Sequence, residues 1–263
     1  MSWQKQPKDK PLYPDLLWSK PENKSQAGKL LVIGGSAGSF KVVSSAYQFA
    51  DKAGAGSIRL LMPDAIRPYF SRLQEPSLQT MEFAPSNKSG GFAKSALAEF
   101  LELSQWANHV LLAGDFGKNS ETTILLETYL KKSKAPLTIS ADTIKSLDVK
   151  QALKSVRPDT FLGLEFGQLQ QLGVQLGLKQ AITSTMPAEK LASVLSEITA
   201  FDSLNIAGYF NGLLWAASNS KAVSTPSKPV DYAKLASYVA VWCMQNPSKK
   251  IEAMATAIYE YGR

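Results

Sequence analysis

Residues 29–62 constrain the fold more than any other part of this sequence. The apolar run Lys29-Leu30-Leu31-Val32-Ile33 is closed by Gly34-Gly35-Ser36-Ala37-Gly38. Val42, Val43, Ala46, Phe49, Ala50 and Ala53 then follow at the spacing of one helix face. Gly54-Ala55-Gly56 ends that helix, and Ser57-Ile58-Arg59-Leu60-Leu61-Met62 is a second strand. A short strand without polar alternation must be buried on both faces, which requires helices above and below a parallel sheet. The unit is therefore βαβ, and the fold class is α/β with a mostly parallel, doubly wound sheet.

The alternation continues along the chain. A helix is predicted over 92–104, a strand at 110–113, a helix from about 120, and a strand at 136–139. A strand at 159–164 and helices over 166–174 and 187–199 come next. The segment 204–217 reads as a hairpin, with Asn211-Gly212 at its turn. Helices over 231–246 and 249–261 close the chain. Residues 1–28, rich in Lys, Pro, Ser and Gln, are expected to form an extended arm, and residues 29–263 a single α/β domain.

Composition removes several function classes. The net charge is +7, yet the lysines are scattered in ones and twos rather than in a run with interleaved aromatics. That pattern gives general attraction to small anions and no nucleic-acid interface. Cys243 is the only cysteine, so neither an internal disulfide nor a Cys-based zinc site is available, and its apolar setting marks it as buried. His109 is the only histidine and cannot supply a multi-histidine metal site. No stretch reaches the ~18–20 apolar residues of a membrane span. Met1 to Asp9 is polar with no apolar core, unlike a secretory signal, so the expected location is the cytoplasm.

Ligands of such sheets bind beyond the carboxyl ends of the strands. The residues there are Gly34-Gly35-Ser36, Gly114-Asp115-Phe116-Gly117, Ser140-Ala141-Asp142 and Gly163-Leu164-Glu165. The first loop has neither the glycine spacing of a dinucleotide fingerprint nor the Gly-Lys-Ser/Thr of a Walker A loop, which argues against a Rossmann dehydrogenase. Asp115, Asp142 and Glu165 each follow a strand. They are candidate acids, bases or Mg²⁺ ligands, or else helix caps, with Asp142 placed to cap a turn at Thr143-Ile144-Lys145.

Taken in order, these motifs resemble the ADP- or ATP-dependent NAD(P)H-hydrate dehydratases of the ribokinase-like superfamily. Lys24 and Gly28 lead into Gly34-Gly35-Ser36 as in that family's opening, Ala53-Gly54-Ala55-Gly56 matches its helix end, and Ala113-Gly114-Asp115-Phe116-Gly117-Lys118 with Glu121-Thr122 stands where it has Gly-Pro-Gly-Leu-Gly-Arg and Glu-Thr. Pro136 to Asp142 is similar to its Pro-apolar-Asp-Ala-Asp segment, with Ser140 replacing the first aspartate. The resemblance runs from about residue 18 to the C-terminus. It implies a three-layer α/β/α fold, ADP or ATP as cofactor with Mg²⁺ as a further possibility, and a small-molecule nucleotide partner in a possible homo-oligomer. It also implies substrate-binding positions at Gly35, Val42, Gly114, Gly117, Asp142 and Glu165, and nucleotide-binding positions at Ala207, Gly208 and Tyr232.

The sequence departs from the family in its second half. Gly163-Leu164-Glu165-Phe166-Gly167-Gln168 replaces Thr-Pro-His-Pro-Gly-Glu, and Ala207-Gly208-Tyr209 lacks the family's lysine. Tyr232-Ala233 stands at the Gly-Asp that provides the anion hole and the catalytic base, and the nearest carboxylate is Asp231. Loss of such a base costs about 10²–10⁴-fold. Asp231 is thus the candidate catalytic residue, displaced by two positions, and Lys221 and Lys228 are candidate phosphate contacts. Three readings follow: a dehydratase-like protein with weak or lost activity, an inactive nucleotide- or partner-binding relative, and another small-molecule kinase of the superfamily.

Overall fold

The computed structural model describes residues 2–70, 80–147, 149–154, 157–200 and 204–262. Lys29–Gly34 (β2) lies near the middle of a ten-stranded sheet. Its Leu31 and Ile33 pack into one core, and its Leu30 and Val32 into the other. His109–Gly114 (β5) does the same, with Val110 and Leu112 on one face and Leu111 and Ala113 on the opposite face. Both faces are apolar because both are covered, the property read from the sequence.

Lys41–Ala53 (α2), Tyr232–Gln245 (α10) and Lys250–Tyr261 (α11) cover one face. Leu97–Trp106 (α4), Ser120–Lys132 (α5), Phe166–Gln175 (α8) and Ala188–Ala200 (α9) cover the other. The result is a three-layer α/β/α fold. The remaining strands are Ser2–Lys5 (β1), Ser57–Pro63 (β3), Met81–Ala84 (β4), Leu137–Ile139 (β6), Thr160–Leu164 (β7), Asn205–Phe210 (β8), Leu213–Ser218 (β9) and Lys221–Pro226 (β10). Their order is β1-β10-β9-β8-β7-β6-β5-β2-β3-β4, and only β9 runs against its neighbours. Among the described residues no helix is long and apolar enough to cross a membrane.

Several predicted elements differ in detail. The helix expected from residue 92 starts at Leu97, because the chain before it first makes a bridge between Ser86 and Phe92 and a 3-10 turn over Lys94–Ala96. The hairpin forms as β8 and β9, with Asn211 and Gly212 at φ 52° and 78°, and a second turn at Asn219-Ser220 adds β10. Within the first 28 residues, β1 pairs in parallel with β10, and Trp3 stacks on Trp215 at 5.9 Å. Pro14–Trp18 (α1) is helical rather than extended.

Candidate functional site

The carboxyl ends of β2, β5, β6 and β7 come together at one edge. Gly114 adopts φ +127°, and a Cβ there would stand 2.7 Å from the Cβ of Asp142. Only glycine therefore lets Asp142, on Ala141–Leu147 (α6), reach across and accept the Asp115 backbone N–H at 2.7 Å. Asp115 is held left-handed, at φ 59°. Its Oδ2 accepts the Ser39 hydroxyl at 2.9 Å and the Val42 N–H at 2.8 Å. Beside this chain lies a cleft of about 450 Å³ lined by Asp115, Gly117, Asn119, Asp142 and Lys145. Lys145 Nζ reaches Glu165 Oε1 at 2.6 Å.

The expected positions are thus distributed as follows. Gly117 and Asp142 line the cleft, Gly114 makes room for Asp142, and Glu165 connects to it through Lys145. Gly35 lies on the inner side of the loop against Ile66, and the Val42 N–H is committed to Asp115. The α6 cap is Ser140, whose Oγ accepts the Thr143 N–H at 3.2 Å, so Asp142 is free for its longer reach. Ala207 is buried within β8, 1% exposed. Gly208 packs under the Phe210 ring, with the Leu164 carbonyl 2.6 Å from where a Cβ would be. Lys221 begins β10 and pairs with Ser218, opposite the start of β8, which puts it at the far edge of the sheet from the cleft. The chain reverses twice before β10, at Asn211-Gly212 and at Asn219-Ser220, one turn more than the single hairpin expected from the sequence.

The helix start that most concerns phosphate chemistry is α10. Asp231 is its N-cap, and Asp231 Oδ1 accepts the N–H groups of Ala233 at 2.8 Å and Lys234 at 3.2 Å. The Asp231 N–H in turn donates to the Tyr261 hydroxyl at 2.8 Å. These are the orphan donors that an anion would otherwise find at a helix start. Other helices at this edge are filled in the same way. Asp115 takes a donor of α2, Asn119 accepts the Glu121 N–H of α5 at 2.8 Å, and Gln168 accepts the Glu165 N–H at the start of α8 at 2.9 Å. Tyr232 offers no base: burial, reinforced by the charge of Glu165 and by Tyr209 and Tyr261, pushes its phenol up to about 12, so it stays protonated. Among the described residues no group of three or more His, Cys, Asp or Glu is placed to hold a metal ion. At α10 the Ala233 and Lys234 N–H groups are both taken by Asp231 Oδ1, so that pair of donors is not open to an ADP or ATP phosphate while the cap is in place.

The sequence places Lys145 only in a turn; the structure puts it at the cleft, three residues after Asp142 and on the same helix face.

No family model and no curated protein matches this chain. Solved structures do. A ribokinase-like superfamily protein from Enterococcus faecalis is 15% identical over 99% of this chain and 86% of its own, with a TM-score of 0.71. The ADP/ATP-dependent NAD(P)H-hydrate dehydratase from Bacillus subtilis, co-crystallised with ATP/Mg²⁺, is 12% identical over 92% of this chain and 81% of its own, at 0.59. An adenosine kinase from Anopheles gambiae is 8% identical over 100% and 94%, at 0.55. The chain has the ribokinase-like fold.

Proposed function

We propose that this chain is a relative of the NAD(P)H-hydrate dehydratases that has kept a small-molecule cleft and lost nucleotide-dependent turnover. One observation carries the reading: the Asp231 carboxylate occupies the Ala233 and Lys234 N–H groups at the start of α10. A carboxylate already seated there excludes a transferring phosphate from the same donors and adds like-charge repulsion. The base is displaced with it: Asp231 Oδ1 is committed to the cap and Tyr232 stays protonated beside it, so no carboxylate is directed from that helix start towards a substrate. A small-molecule kinase reading meets the same obstacle, since it needs the same anion hole.

The retained part is the cleft between Asp115, Asp142 and Lys145. Carboxylates and an ammonium facing one cleft suit a neutral, hydroxyl-bearing ligand better than a phosphate. The test is dehydration of hydrated NADPH with ATP or ADP, together with ATP titration, on wild type and Asp231→Ala. Wild type should show no nucleotide-dependent turnover, and Asp231→Ala should bind ATP at least tenfold more tightly. Robust wild-type turnover, or equal ATP affinity in the two proteins, would sink the reading.

A further inference from the structure

The opposite edge of the sheet, at the amino ends of β2 and β3, carries another cavity of about 440 Å³. Lys24, Lys29, Tyr47, Asp51, Arg59 and Trp106 line it. The strand register brings two of these cations together. β2 and β3 run parallel, with Lys29 opposite Ser57 and Leu31 opposite Arg59. Residues two apart on a strand share a face, so Lys29 and Arg59 both stand on the face of Leu31, the one that α4 covers. That helix ends here, at Trp106. The Arg59 guanidinium carbon lies 4.4 Å from the centroid of the Trp106 ring, and Lys29 Nζ lies 5.8 Å from it. Lys24, from the segment before β2, is the third cation.

Three cations from three segments thus converge on one cavity against their mutual repulsion. The carboxylates beside them are loosely committed. Asp51 meets Lys24 at 3.1 Å and Glu82 of β4 meets Arg59 at 3.7 Å, and both pairs are open to solvent. Exposed pairs of this kind contribute little and exchange readily for a better-placed anion. The stack on Trp106 uses the flat face of the Arg59 guanidinium and leaves its rim of N–H donors for an acceptor in the plane. From this we infer that the cavity is a binding site for a small oxyanion, a phosphate or a carboxylate. Arg59 would grip two of its oxygens, and Lys24 and Lys29 would neutralise it as point charges. A cavity lined mainly by one sign of charge also raises the local concentration of its counter-ion. This site lies at the other end of the strands from the Asp142 cleft, and its existence does not depend on the function proposed for that cleft.

The probes are inorganic phosphate, pyrophosphate and citrate, titrated into the full chain at constant ionic strength. Binding is read from the indole N–H signal of Trp106 in NMR spectra, identified by its absence in Trp106→Phe. At least one probe should shift that signal saturably. Arg59→Gln should weaken binding about tenfold or more, the loss expected for one charge-assisted contact, and Lys29→Gln should weaken it too. Lys190→Gln removes the same charge from an exposed position on α9 and should leave the affinity as it was. Binding of the two phosphates without citrate assigns a phosphoryl ligand, the reverse assigns a carboxylate, and binding of all three an unselective oxyanion site. Circular dichroism shows whether each variant folds. Lys29→Gln, at an exposed strand start, carries the test if Arg59→Gln does not fold. Failure of all three probes to saturate, or losses in the folded site variants no larger than in Lys190→Gln, overturns the assignment.

Discussion

His109 gives this protein a pH-dependent stability that can be calculated in advance. The imidazole is buried under the sheet at the start of β5, 1% exposed, with Nε2 2.8 Å from the Thr138 hydroxyl and its ring 5.8 Å from that of Phe161. Burial pushes its pKa down to about 3, against an ordinary value near 6.5. A base whose folded pKa is depressed binds fewer protons when folded than when unfolded. Its stabilising contribution is therefore complete above about pH 6.5, and declines as pH falls from there towards about 3. Between about pH 8 and about pH 5 the unfolded state gains nearly one proton that the folded state refuses, which costs roughly 2 kcal/mol. Carboxylates titrate little in that interval, and the chain has no second histidine.

Urea unfolding at the two pH values measures the effect by linear extrapolation. His109→Asn provides the control, because it keeps a polar side chain and does not titrate. The wild type should lose roughly 2 kcal/mol more than the variant between the two pH values. Equal losses in the two proteins would show that the imidazole is charged or hydrated in the native state, and would refute the reasoning.

Gly208→Ala should destabilise the protein by about 1–3 kcal/mol, the usual cost of overpacking. The new methyl would meet the Phe210 ring and stand 2.6 Å from the Leu164 carbonyl, a backbone atom that cannot move aside. Equilibrium denaturation checks this, and an unchanged midpoint would mean that β7 and β8 are spaced more widely. Burial also raises the Cys243 thiol far above its ordinary range, so the native protein should resist a thiol reagent near neutral pH and react fully in denaturant. Stoichiometric labelling of the native state would contradict the burial of α10.

The sequence alone determined the layers. Apolar strands without alternation, such as Leu30 to Ile33 and Val110 to Ala113, cannot be solvated on either face, so helices on both sides follow from composition over four residues. Glycines after those strands likewise marked the edge of the sheet where the cleft lies. Side-chain reach was beyond it. Asp115, Asp142, Glu165 and Asp231 each read as a carboxylate near a helix start, equally suited to capping and to catalysis. Which role each takes depends on atoms far away in sequence: Asp142 turns to the N–H of Asp115, twenty-seven residues earlier, and Asp231 turns back onto its own helix while Tyr261 covers it from the end of the chain. Local sequence fixes where a carboxylate is; only packing decides which donor it finds first, and at α10 that donor belongs to the protein itself.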